Sequence, residues 1–138
     1  MTLQSLLYVS KSLLPAETAD EVVEQIVAAA TTANSRTQST GALVFTGSHF
    51  AQILEGDGAE IDRLMAVIQR DPRHRELRIV DRKDIPQRRF ADWSMAYMGP
   101  SQFVSRHVLQ LLERSSAERT WRASAWMSDL MAEFAKAA

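Results

Sequence analysis

The chain contains no cysteine, no excess of charge of either sign and no long apolar run, and each absence closes off a class of answer. Without cysteine there can be no disulfide, no thiol nucleophile and no thiolate metal site, and the composition suits the reducing cytoplasm. Sixteen Lys plus Arg stand against 17 Asp plus Glu. The broad basic field carried by most nucleic-acid binders is therefore missing. No apolar stretch approaches the roughly 20 residues needed to span a bilayer, and the N-terminus lacks the basic-then-apolar layout of a signal peptide. Internal repeats, low-complexity tracts, linkers and a dinucleotide-binding glycine fingerprint are also lacking. These absences leave a cytoplasmic protein bound neither to membrane nor to nucleic acid. At 138 residues, with 46% apolar and 24% charged residues, it has the makings of one globular domain.

What is present is a clear alternation of elements. Gln4 to Ser10 is short and rich in β-favouring residues, which predicts a buried strand. Thr18-Ala19-Asp20-Glu21 reads as a capping box, followed by Val22, Val23, Ile26, Val27 and Ala30 at helical spacing. That helix is expected to run to about Asn34. Two strand-like runs, Gly41 to Phe45 and Phe50 to Leu54, flank Thr46-Gly47-Ser48 and predict a hairpin. After Asp57-Gly58 a second amphipathic helix carries Ile61, Leu64, Met65 and Ile68 on one stripe and closes at Asp71-Pro72. Leu77 to Asp81 and Trp93 to Met98 complete the strands. The order resembles an α+β, ferredoxin-like sandwich with one added strand, a five-stranded sheet carrying two helices on one face. From Ser101 the pattern becomes helical, with stripes at Phe103 to Leu112 and Trp121 to Phe134. The expectation is a core over residues 1–100 and, in the same domain, a helical cap over 101–138 covering the other sheet face.

Strand parity gathers the chemistry. Side chains alternate faces along a strand, so Phe50, Gln52 and Leu54 share one face, Leu6, Tyr8 and Ser10 another, and Trp93, Met95 and Tyr97 a third. If these faces all look toward the two helices, a phenol, an amide and an indole or thioether meet in one layer, and Asn34 reaches in from the end of the first helix. An amide inside so apolar a run as His49-Phe50-Ala51-Gln52-Ile53-Leu54 needs a partner, because an unbonded buried amide is costly. Tyr8 and Gln52 should bond each other or a polar ligand. Taken singly, Tyr8, Trp93 and Met95 would pass for core residues. Asn34 suits a helix C-cap, a role compatible with ligand binding, and Glu55-Gly56 reads as structural.

In combination, these segments are similar to a BLUF domain, the family that senses blue light with a flavin. The resemblance rests on Leu7-Tyr8-Val9-Ser10, Asn34 ahead of Thr40-Gly41-Ala42-Leu43, Phe50-Ala51-Gln52-Ile53-Leu54-Glu55-Gly56, Asp71-Pro72-Arg73-His74, Arg89-Phe90 and Trp93-Ser94-Met95. It implies a flavin ring between the two helices, walled by Ile26 and Ile68 and lined by Phe50. FAD is the expected cofactor, with FMN or riboflavin as alternatives. Tyr8 would supply an electron to the excited ring, Gln52 would relay the proton, and Asn34 would hold the ring's carbonyl edge. Asp71, Arg73 and His74 would serve the ribityl and phosphate side. Trp93 and Met95 would pass the change to the last strand and the tail. Ala30 and Ala33 stand where relatives carry serine or histidine, which reduces polar contacts from the first helix.

Such a chain would be a photoreceptor and not an enzyme, since only about 38 residues follow the core. It would act through an unidentified downstream protein or through self-association as a homo-oligomer. The alternative is a non-photoactive binding or regulatory module that kept the fold. An acylphosphatase would need an early glycine-rich anion loop with an arginine, where Tyr8-Val9-Ser10-Lys11 offers only a lysine and no glycine, and an RNA-recognition sheet is disfavoured by the neutral charge.

Overall fold

The structure, a computed structural model, describes residues 2–91 and the backbone of residues 96–98. Its elements run β1 (Leu3–Ser12), α1 (Ala19–Thr37), β2 (Thr40–Phe45), β3 (His49–Asp57), α2 (Gly58–Gln69), β4 (His74–Asp84) and β5 (Ala96–Met98). The sheet order is β4-β1-β3-β2-β5. β1 pairs antiparallel with both β3 and β4, β2 with β3 antiparallel, and β5 joins β2 in parallel. With α1 and α2 as crossovers, this is the α+β, ferredoxin-like arrangement the element order predicted.

Both faces of the three central strands, β1, β2 and β3, are apolar and buried. On one, Leu6, Tyr8, Leu43, Phe45, Phe50 and Leu54 pack with Ala19 and Val23 of α1 and with Ile61 and Met65 of α2. On the other, Leu7, Val9, Ala42, Val44, Ala51 and Ile53 are at most 2% exposed. Burying an aliphatic or aromatic side chain of this kind contributes about 1.5–3 kcal/mol. Two buried faces account for β2 and β3 reading as nearly continuous apolar runs rather than alternating ones. The tail helices expected over residues 101–138 lie outside the described residues.

Several local expectations change. The Thr18 capping box does not form: Thr18 sits at φ −120°, ψ 0°, outside the extended region from which a threonine hydroxyl reaches the helix amides, and makes no side-chain cap. α1 also continues past Asn34. The hydroxyls of Thr31, Thr32 and Ser35 bond to the carbonyls of Val27, Ala28 and Thr31, at 2.8, 3.2 and 2.8 Å, so the polar run finds its partners inside the helix. The left-handed residue that closes α1 is Gln38, at φ 58°, whose N–H donates to the Asn34 carbonyl. Asn34 is therefore one turn inside the helix and is not its cap. In the hairpin, Gly47 has φ +97° and Thr46 N–H donates to the His49 carbonyl at 3.0 Å. β4 is longer than Leu77 to Asp81 and irregular, with register shifts between Leu7 and Tyr8 and between Val9 and Lys11, and with Glu76 at φ 54°. Seven of its eleven residues are charged.

Candidate functional site

α1 and α2 stand apart over the sheet, and the space between them is a cleft of about 260 Å³. Its floor is Tyr8 of β1, Leu43 of β2 and Phe50, Gln52 and Leu54 of β3, side chains that strand alternation brings to one face. One wall is Ile26, Ala29, Ala30, Ala33 and Asn34 of α1; the other is Leu64 and Ile68 of α2. Asp71, Arg73 and His74 close the end beyond α2. Ala29 and Ala33 are apolar yet exposed, so the α1 wall presents apolar surface with nothing of the chain packed on it.

The polar centre of the floor is a pair. Tyr8 and Gln52 are direct partners across β1 and β3, and the Tyr8 hydroxyl donates to Gln52 Oε1. Both side chains are buried, at 4% and 7% exposure. The bond also orients the amide, because the oxygen faces the phenol and the amide nitrogen lies on the other side. Burial, with the negative charge of Asp71 as a second cause, pushes the Tyr8 phenol well above its ordinary range and keeps it a donor. Asn34, 3% exposed, brings a second amide to the α1 wall.

At the far end Arg73 is held by Asp71, with Arg73 Nε and N–H each 2.9 Å from Asp71 Oδ1. The Arg73 hydrogen bond depresses the Asp71 pKa and raises that of Arg73. His74 Nε2 lies 2.7 Å from the Ile68 carbonyl and Nδ1 2.7 Å from Ser10 Oγ. A carbonyl only accepts, so Nε2 carries hydrogen. His74 thereby fastens the end of α2 to β1, with its ring 6.2 Å from those of Tyr8 and Phe50 in edge-on arrangements.

The donor set suits a flat aromatic ligand with a polar rim, since apolar walls meet two amides in one layer and a charged end lies beyond. A family model described as "Sensors of blue-light using FAD", BLUF, matches residues 3–96. The chain belongs to the BLUF family.

Relatives agree. The chain is 36% identical over 73 residues to the blue light- and temperature-regulated antirepressor BluF of Escherichia coli, covering 53% of the chain and 18% of the relative. It is 31% identical over 93 residues to photoactivated adenylate cyclase subunit beta of Euglena gracilis, 67% of the chain and 11% of the relative. The chain thus spans only a small part of these curated relatives. Among solved structures, the dark state of BlrB, a BLUF protein, is 36% identical with a TM-score of 0.69, over 89% of this chain and 97% of that one. The photo-activated state of BlsA has a TM-score of 0.79 at 21% identity, over 94% of each chain, a likeness of fold.

FAD is the cofactor of the BLUF family, and nine of the ten residues expected to bind it line this cleft: Tyr8, Ile26, Asn34, Phe50, Gln52, Ile68, Asp71, Arg73 and His74. Met95, the tenth, and Trp93 lie outside the described residues. Ala29, Leu43, Leu54 and Leu64 line the BLUF cleft without having been singled out as site residues. Their signal was present in the sequence: Ile26, Ala29, Ala30 and Ala33 follow the spacing of one helix face, as do Leu64 and Ile68. Among the described residues no His, Cys, Asp and Glu cluster could hold a metal, and no helix is long and apolar enough to cross a membrane.

Proposed function

We propose that the chain is a blue-light photoreceptor whose switch is the Tyr8–Gln52 hydrogen bond in the cleft between α1 and α2. That bond carries the reading, because it places an oxidisable phenol and a reversible donor–acceptor amide in contact at a buried position. Ile26 and Ile68 would wall the ring, Phe50 would line its pocket, and Asn34 would hold its carbonyl rim. Arg73, set by Asp71, would serve the ribityl and phosphate portion of FAD, or of FMN. His74, both of whose nitrogens the protein itself engages, contributes its ring and its grip on the end of α2. Bound there, a flavin supplies blue-light absorption and an excited state that oxidises a neighbouring phenol.

The chain's own part is proton handling. Oxidation of Tyr8 makes its hydroxyl proton strongly acidic, and Gln52 Oε1, already its acceptor, takes it. The amide would pass a proton from its nitrogen toward the flavin that took the electron, and the return of both electron and proton to Tyr8 would leave the amide rotated or tautomerised, with its two ends exchanged. The raised pKa keeps Tyr8 a protonated donor before and after the cycle, so that dark recovery is the return of the amide to its first orientation. The outcome is a changed hydrogen-bond pattern with no net chemistry. Trp93 and Met95 carry this change toward β5 and the tail, and a homo-oligomer or a downstream protein in the cytoplasm receives it.

The test is the absorption spectrum of the purified protein in darkness and just after blue light. A flavin spectrum that shifts slightly red and returns in darkness is expected, with the shift abolished in Tyr8→Phe and in Gln52→Leu. A flavin spectrum that light leaves unmoved would overturn the proposal and leave a non-photoactive binding module.

A further inference from the structure

Glu55 is a buried carboxylate, 1% exposed, that takes no part in the cleft. It lies on β3 three residues after Gln52, and alternation puts it on the opposite face of the sheet. Its partners are specific. Oε1 accepts from the Thr40 hydroxyl at 2.8 Å and from Phe90 N–H at 3.0 Å, and Oε2 accepts from Arg89 N–H at 2.7 Å. The main-chain carbonyl of the same residue accepts from Arg88 Nη1 at 2.9 Å, and that nitrogen also donates to Thr40 Oγ1 at 3.0 Å. Three consecutive residues, 88 to 90, are thus fastened to one position of β3, and Phe90 is fully buried beside it.

The clamp sits where two chain segments converge. Thr40 opens β2, and Ala42, two residues on, is the partner of Ala96 in β5. Phe90 is followed after residues 91–95 by β5 itself. Holding two successive backbone N–H groups and a hydroxyl at once takes two oxygens with several lone pairs. A carboxylate has them, whereas an amide of the same shape offers one oxygen and opposes a donor with its NH2.

We infer that Glu55 is a positioning residue for the photocycle: it ties the lead-in to β5 onto the strand that presents Gln52, so that Gln52's hydrogen-bonding state and the placement of β5 are set together. The inference rests on the photoreceptor reading above. A merely structural carboxylate would stabilise the fold and leave the kinetics of the photocycle alone.

The flavin-loaded full chain decides this, compared as wild type, Glu55→Gln, Thr40→Val and Ile53→Val. Ile53→Val trims a buried side chain of the same strand outside clamp and cleft, and so reports what lost stability alone does. Three quantities are read: deuterium uptake of the 88–98 region in darkness, the thermal midpoint, and the rate of dark recovery after blue light. Glu55→Gln is expected to raise the uptake and to speed recovery about tenfold, the scale set by losing charge-assisted hydrogen bonds, while the light-induced shift keeps its size. Thr40→Val should act in the same direction more weakly, and it decides the matter if Glu55→Gln does not fold. Ile53→Val should lower the midpoint with recovery unchanged. Recovery in the clamp variants within about twofold of wild type, or altered no more than in Ile53→Val, overturns the inference while leaving the photoreceptor standing. A wild-type spectrum unmoved by light overturns both.

Discussion

Replacing Gly41 with alanine tests how closely β2 and β3 must approach beneath the cleft. A Cβ built on Gly41 falls 2.0 Å from the Ile53 carbonyl oxygen, 3.1 Å from its carbon and 3.4 Å from Leu54 Cα. A carbon and a carbonyl oxygen in comfortable contact are about 3.3 Å apart, so more than 1 Å must be found. All three obstructing atoms are main chain of β3, so no side chain can swing away. The strands have to part, and the ladder bonds flanking the Gly41–Leu54 pair lengthen with them. Overpacking of this sort costs up to about 3 kcal/mol, and one weakened backbone bond adds about 1 kcal/mol, giving about 4 kcal/mol. Unfolding entropy for a chain of 138 residues is about 0.3 kcal/mol per degree. The midpoint should therefore fall by about 14 °C in thermal unfolding followed by circular dichroism. Gly47→Ala is the companion measurement. Gly47 needs its φ of +97° but has nothing within 4 Å of a new Cβ, so only backbone strain, about 1–2 kcal/mol, is paid there. A fall below about 4 °C in Gly41→Ala, or one no larger than in Gly47→Ala, would refute the close approach.

Three further outcomes are expected. Because the folded pKa of Tyr8 is raised, its contribution to stability is complete below the ordinary phenol range near pH 10 and is lost as pH climbs through and beyond it; denaturant midpoints of the wild type should fall there, with a shallower fall in Tyr8→Phe. Asp71 has a depressed pKa, so its pairing with Arg73 contributes above the usual carboxylate range and is lost as pH drops through the folded value. The partly exposed pair contributes under about 1 kcal/mol, and Asp71→Asn should flatten that acid limb, a difference that shrinks in high salt. Ala33→Trp projects a large ring from an exposed position of the α1 wall, and should yield a folded protein with a near-normal far-ultraviolet spectrum that purifies without yellow colour; retention of flavin at the wild-type ratio would count against the placement of the ligand between the helices.

Much of this site could be read from the chain because it is built from short periodicities. Parity alone puts Phe50 with Gln52 and separates Gln52 from Glu55, and helical spacing puts Ile26 with Ala30. What parity cannot supply is register. That Tyr8 faces Gln52 and not a neighbour two residues away depends on how β1 lies along β3, which is fixed by contacts 44 residues apart in sequence. Asn34 shows the limit for helix ends: its backbone tolerance suits a cap, but the helix runs on to Thr37 and closes at the left-handed Gln38. His74 shows the limit for polar residues generally, since its type marks it as a cation or donor while its two bonds, to Ser10 and Ile68, come from other elements. For Glu55 a structural role was legible, but the residues it holds, Arg89 and Phe90, could not be found without the fold.

The irregular, heavily charged β4 has a consequence for how copies of this protein can meet. A flat strand at the border of a sheet is an open template on which a second copy can add, and growth of that kind has no natural stop. Two register breaks twist this border, and a run of arginines, a lysine and acids along it sets any incoming strand the cost of stripping water from charge. Strand-on-strand growth from β4 is thereby closed. The self-association proposed as an output would then use other surfaces, where contacts can form and part reversibly without seeding a fibre.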